Sequence, residues 1–348
     1  MKRQIKLLIS IFSIIFVLGC EKDNSIIIGN YKILFISRRI DNSADWKMYL
    51  MNNDGTNQNE IIDLTVQYGA PVISHNNNKV AFVHLTESYK LELYIVNLNG
   101  SGLQLIDSSN QYIGSPDWSM DDTKLIYTKS IGDTTYGIYQ SDCLGQTVQL
   151  ISSSGGYFAV YSPDLKTITY NQSGNIYLMD YNGSNNKKLI SNAGSFLWSP
   201  KGDKIAYLSS GDKRSPQISI ANANGSSQKQ LTSSYLPDWD SGFPTFGNYD
   251  PHWTPDESKI VFVSEINNGL PSIYIMNSDG TNQIRLTNTE RRNEDPIITP
   301  DGKFIIFDSN RDLTLNSDIY IMDINGNNQK SLSNYKGDDC CPVIVKNN

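Results

Sequence analysis

The chain is expected to fold as an all-β, seven-bladed β-propeller whose C-terminal strand completes the first blade. Three observations predict this. A segment of about 45 residues containing four strand-like pieces recurs along the chain, as a propeller blade does. Two landmarks recur in the repeats, a strand ending in an aromatic and a second strand with a Gly six residues after its Tyr. The last strand-like piece has no partner in its own repeat. A six-bladed ring is the alternative, because the spacing of the repeats is irregular and one degenerate copy can be miscounted.

The clearest repeat reads P-H-W-T-P-D-E-S-K-I-V-F-V-S … S-I-Y-I-M-N-S-D-G-T-N-Q-I-R-L-T-N from Pro251 to Asn288, and a second copy runs from Pro296 to Asn334. Its second strand, B, carries K-hydrophobic-x-aromatic. The copies are Lys32–Phe35, Lys79–Phe82, Lys124–Tyr127, Thr167–Tyr170, Lys204–Tyr207, Lys259–Phe262 and Lys303–Phe307. Short apolar runs of this kind read as strands. Strand C carries a Tyr followed by a turn Gly, at Tyr49/Gly55, Tyr94/Gly100, Tyr139/Gly145, Tyr177/Gly183, Tyr274/Gly280 and Tyr320/Gly326. In the fifth copy Ser219 replaces the Tyr, with Gly225. The N-G and D-G pairs suit hairpin turns that need positive φ. A short strand D then ends near Ile61, Ile106, Ile151, Leu189, Leu231, Leu286 and Leu332.

Strand A has the form P-x-W-S-P-D-G, with Pro and Asp favouring a tight A–B turn. Its copies start at Pro71, Pro116, Ala159, Phe196, Pro251 and Pro296. The first B strand, at Lys32, has none before it, while an A-like segment, Cys341-Pro-Val-Ile-Val345, stands alone at the end. That segment is expected to pair with Lys32–Phe35, hiding sheet edges that would otherwise recruit other chains.

The recurring W-S-P-D-G … I-Y-x-M-N-x-D-G … L-T pattern resembles the propeller domain of TolB and its relatives, across about residues 31–345. It is specific for the type of repeat. Two departures limit what it implies: the TolB propeller has six blades and follows a small α/β domain, whereas seven repeats are counted here and the first strand opens soon after Cys20. A TolB role is therefore not carried over whole.

The domain organisation expected is a lipoprotein signal peptide over 1–19, a lipidated tether over 20–30 and one propeller over 31–348. Lys2, Arg3 and Lys6 precede an apolar run from Leu7 to Leu18. That run is too short to span a bilayer comfortably and suits a signal peptide core. Val17-Leu18-Gly19-Cys20 resembles the bacterial lipobox, which implies acylation of Cys20. An ordinary N-terminal anchor is the alternative. Glu21-Lys22-Asp23 then resembles a surface-export signal, or is a solvated tether. The implied location is the bacterial outer membrane, on its periplasmic or exposed side. Besides Cys20, the cysteines are Cys143, Cys340 and Cys341. They make no disulfide framework, and Cys341 is expected at the start of the closing strand in a structural role.

Net charge is −7 with no basic block, which argues against nucleic acid as a partner. The chain has three histidines, His75, His84 and His252, at positions that should not converge. A three-His metal site, like that of some seven-bladed pectate-fragment lyases, is therefore not expected. G-x-S-x-G and phosphate-loop motifs are absent. No catalytic residue, metal or cofactor is assigned.

Alternation of strand direction places the B–C loops and the D-to-next-A loops on one face, and tight A–B and C–D turns on the other. The B–C loops vary, and variable loops on a rigid scaffold commonly carry binding. The largest excursion on that face, Ser233–Asp250, holds Tyr235, Trp239, Phe243, Phe246 and Tyr249 with Asp238, Asp240 and Asp250. Its aromatics can stack on a sugar or anchor a peptide, or fold back as a plug. Asp250 and Asp295 each precede the Pro of strand A and should approach the channel mouth, as a cation site or as backbone caps. Arg291-Arg292 and Arg311-Asp312 belong to the same face, as solvated or paired side chains rather than an anion clamp. The function expected is a lipid-anchored, non-enzymatic envelope propeller that binds a protein or a glycan. The alternative is a lyase-like, glycan-active enzyme with its site at the channel mouth.

Overall fold

The computed structural model describes residues 29–39, 45–66, 70–210, 215–233, 247–266, 269–312 and 316–347. Seven sheets of four antiparallel strands follow one another along the chain. In blade one the order is Asp338–Lys346, Tyr31–Arg38, Lys47–Asn52, Asn59–Ile62, so the last strand is the inner strand of the first blade. Its register sets Lys32 opposite Val345, Ile33 opposite Ile344 and Leu34 opposite Val343. The ring is thus seven-bladed and closed by the C-terminal strand.

The two landmarks are cross-strand partners. Phe35 faces Tyr49, Phe82 faces Tyr94, Tyr127 faces Tyr139, and Tyr170 faces Tyr177. Each pair is stacked, with ring centroids 5.8, 5.8, 5.9 and 5.6 Å apart. Directly opposed aromatics contribute more than their area alone. The fifth blade sets Tyr207 against Ser219 instead.

Successive residues of a strand point to opposite faces, and here both faces are buried between blades. Ile33 and Phe35 pack with Ile306, Ile319 and Ile321 of blade seven. Leu34 and Ile36 pack with Val80, Phe82 and Val96 of blade two. This explains why strand B reads as a nearly continuous apolar run. The turn glycines serve the same packing. Gly55 has φ 90°, and a Cβ there would lie 2.3 Å from the Leu332 carbonyl oxygen of the neighbouring blade.

The inner strand of blade two, Val72–Ile73, follows Pro71, but five others begin earlier than their landmarks suggest. They span Ile113–Trp118, Tyr157–Tyr161, Ala193–Trp198, Asn248–Trp253 and Asn293–Ile298. Each is interrupted by a bulge, as between Tyr249 and His252 or between Glu294 and Ile297. Ser115, Phe158, Asp250, Asp295 and Cys341 occupy the bulge tip, with φ of 51, 51, 52, 48 and 56°. In four of the five the next residue is Pro, which has no N–H to give to the ladder. Pairing breaks there and resumes upstream. Cys341 consequently lies inside its strand rather than at its start, which is Asp338.

Candidate functional site

The bulges bring side chains of adjacent blades together at the inner ring, near the ends of strands that meet the variable-loop face. The Asp295 carboxyl accepts a hydrogen bond from the Cys341 thiol of blade one and feels the charge of Asp250 in blade six. Burial, then Asp250 and Glu294, push Asp295 above the usual carboxylate range. His252 Nε2 lies 3.3 Å from Asp250 Oδ1. Burial would lower its pKa, but the charge and hydrogen bond of Asp250, with the charge of Asp295, raise it overall. Asp308, on the next strand of blade seven, is held well above its ordinary value by burial and then by Asp295 and Glu294.

A second group adjoins the first. The Tyr249 hydroxyl is 3.0 Å from Glu294 Oε1 and 3.4 Å from Glu265 Oε1. Burial and these two carboxylates hold the phenol far above its usual range, so it remains a donor. Arg292 Nε and Nη2 donate to Glu294 Oε2 at 3.0 and 2.6 Å. Glu265 is raised, chiefly by burial. Carboxyl groups pushed toward their protonated form, beside a phenol and a guanidinium that donate, present donors and acceptors together, a set suited to hydroxyl groups or to cationic groups.

Of the residues singled out in the sequence, Tyr249, Asp250, Asp295 and Arg292 fall within these two groups. Arg292 is paired with a carboxylate. Asp250 pairs with a histidine and Asp295 with a thiol. Trp239, Asp238, Asp240, Phe243 and Phe246 lie outside the described residues, as does Cys20. The histidines sit at three separate places, His75 against Asp122, His84 against Thr65 and His252 against Asp250. Among the described residues no three His, Cys, Asp or Glu side chains are grouped so as to hold a metal ion.

Sequence reasoning missed the role of two arginines that fasten this end of the ring. Arg39 Nη2 is 3.2 Å from Asp339 Oδ2, its Nε donates to Ser37 Oγ at 2.9 Å, and Gln58 accepts from Nη2. Its guanidinium lies 5.2, 4.4 and 4.9 Å from the ring centroids of Phe35, Tyr49 and Tyr335. Arg311 repeats this in blade seven, donating to Asn293 Oδ1 at 2.7 Å and to Ser309 Oγ at 3.0 Å, and lying over Phe307 and Tyr320. The signal was available: Ser-x-Arg closes strand B only at Ser37–Arg39 and Ser309–Arg311.

The TolB beta propeller domain model matches residues 28–245 and 240–347. The chain belongs to the TolB β-propeller family. Among solved structures, it is similar to TolB from Acinetobacter baumannii, at 20% identity over 90% of this chain and 82% of that one, with a TM-score of 0.53. An oligogalacturonate lyase from Vibrio parahaemolyticus is similar at 18% identity over 84% and 86%, with a TM-score of 0.63. The β-propeller domain of the Trilobed protease from Pyrococcus furiosus is similar at 13% identity over 88% and 96%, also with a TM-score of 0.63. At such identities the likeness to these structures is one of fold. The family and the lyase share the propeller, so function rests on the site.

Proposed function

We propose that this TolB-family propeller is a lipid-anchored protein of the bacterial envelope, held at the outer membrane through Cys20, and that it binds a protein or a glycan without chemistry. The observation that carries the reading is the joining of Tyr249, Glu265, Arg292 and Glu294 to Asp250, His252 and Asp295 beside the face where the variable loops gather. Carboxylates dominate that rim. An anionic ligand would meet like charge at close range, so the partner is expected to present hydroxyl or cationic groups. Trp239 is the expected anchor, since a rigid aromatic buries a large area at little entropic cost. In recovery of partners from envelope membranes by the intact lipoprotein, Trp239→Ala should weaken binding by on the order of 2 kcal/mol with an unchanged melting temperature. Unchanged recovery with lowered stability would instead make Trp239 part of a plug.

The anchor rests on the basic start, the apolar run and the Gly19-Cys20 junction. Cys20→Ala should leave an unprocessed precursor and abolish acyl labelling. Labelling that survives the substitution contradicts the assignment. A second reading, a lyase-like enzyme acting on glycans at the channel mouth, is favoured by one observation: His252 is held between Asp250 and the charge of Asp295, a pairing able to move a proton.

A further inference from the structure

In a regular strand, neighbouring side chains point to opposite faces, which keeps adjacent thiols apart. Cys340 and Cys341 depart from this. Cys341 has φ 56° at the bulge tip, and the strand's pairing with Tyr31–Arg38 shifts register beside it, between Leu34 and Ile36. The bulge turns both side chains to one side, and the two Sγ atoms lie 3.1 Å apart as free thiols. Both residues are half-buried, and the Cys341 thiol also reaches the Asp295 carboxyl of blade seven.

We infer that Cys340 and Cys341 are a reversible redox site, closing to a vicinal disulfide by exchange with a small-molecule or protein disulfide. The thiolate of one cysteine attacks the incoming disulfide and expels one thiol. The thiolate of the other attacks the resulting mixed disulfide and expels the second. The pair gives up two protons and two electrons, and the incoming disulfide is reduced to two thiols. Adjacent Cα atoms are about 3.8 Å apart, below the separation that unstrained disulfides adopt, so the product is easily reduced again. It closes almost no chain and is no staple. Its effect is local: oxidation withdraws the thiol donor from Asp295 at the inner ring.

The test equilibrates the full chain with glutathione mixtures of increasing oxidised fraction, quenches with acid, alkylates free thiols and maps the peptides by mass spectrometry. The peptide carrying Cys340 and Cys341 should pass from doubly alkylated to unlabelled with the loss of two hydrogens, and return on treatment with dithiothreitol. Cys143, whose thiol donates to the Asp122 carbonyl oxygen at 3.2 Å on another blade, should stay alkylated throughout. Cys341→Ser should show no such loss. A wild-type pair that remains doubly alkylated in the most oxidising mixture, or appears only as glutathione adducts or inter-chain disulfides, would overturn the inference. So would loss of two hydrogens in Cys341→Ser.

Discussion

Deleting residues 340–348 should lower stability by at least about 5 kcal/mol, enough to unfold much of the protein, since domains carry only about 5–15 kcal/mol in total. The deleted segment supplies most of the inner strand of blade one. It takes with it the ladder that joins Lys32, Ile33 and Leu34 to Val345, Ile344 and Val343. Ile344 leaves the cluster shared with blade seven, and Val345 leaves the cluster shared with blade two. The strand Tyr31–Arg38 would become an open edge beside an opened ring, exposed to pairing with other chains. Thermal unfolding of the truncated protein checks this, and an unchanged melting temperature would contradict closure by this strand.

Arg39→Ala should cost about 3–5 kcal/mol, the usual penalty for breaking a buried ion pair from one side. The side chains of Arg39 and Asp339 are only 9% and 0% exposed, so Asp339 would be left with no cation and little water. It would do so beside Asp318, whose carboxyl burial and then the charges of Asp339 and Asp312 already push up to about 7. Three aromatic rings would also lose the guanidinium between them. The double variant Arg39→Met with Asp339→Asn removes both charges and should recover most of the loss. Denaturant unfolding of the three proteins decides the matter. A single variant within about 1 kcal/mol of wild type would show that the contact is only a surface pair.

The blade count was legible because its landmarks are local and periodic. Phe82 and Tyr94, or Phe307 and Tyr320, are brought together by one hairpin, so landmarks close in sequence become ring pairs with centroids 5.8 and 5.7 Å apart. The inner-strand bulges were not legible from the same pattern. Pro251 and Pro296 read as strand starts, yet each strand continues upstream through an Asp at positive φ, a conformation that sequence periodicity does not report. The grouping of Asp250 with Asp295, and of Tyr249 with Glu294, could be anticipated because these are matching positions in adjacent repeats. The link from Arg39 to Asp339 spans 300 residues and depends on ring closure, so Ser-x-Arg marks the arginine locally but not its partner. Ligand chemistry was the least legible part, because the aromatic loop residues lie outside the repeat and share no spacing with it.

The central claim is that one face of the ring does the binding. The most direct measurement places a photo-crosslinking amino acid at Arg292, whose side chain is 59% exposed beside the carboxylate group, and separately at Asp279, an exposed residue in a C–D turn of the opposite face. Both proteins are irradiated in intact cells and their adducts compared. The account predicts adducts to an envelope component from position 292 and none from position 279. Adducts from position 279 with none from position 292 would contradict it.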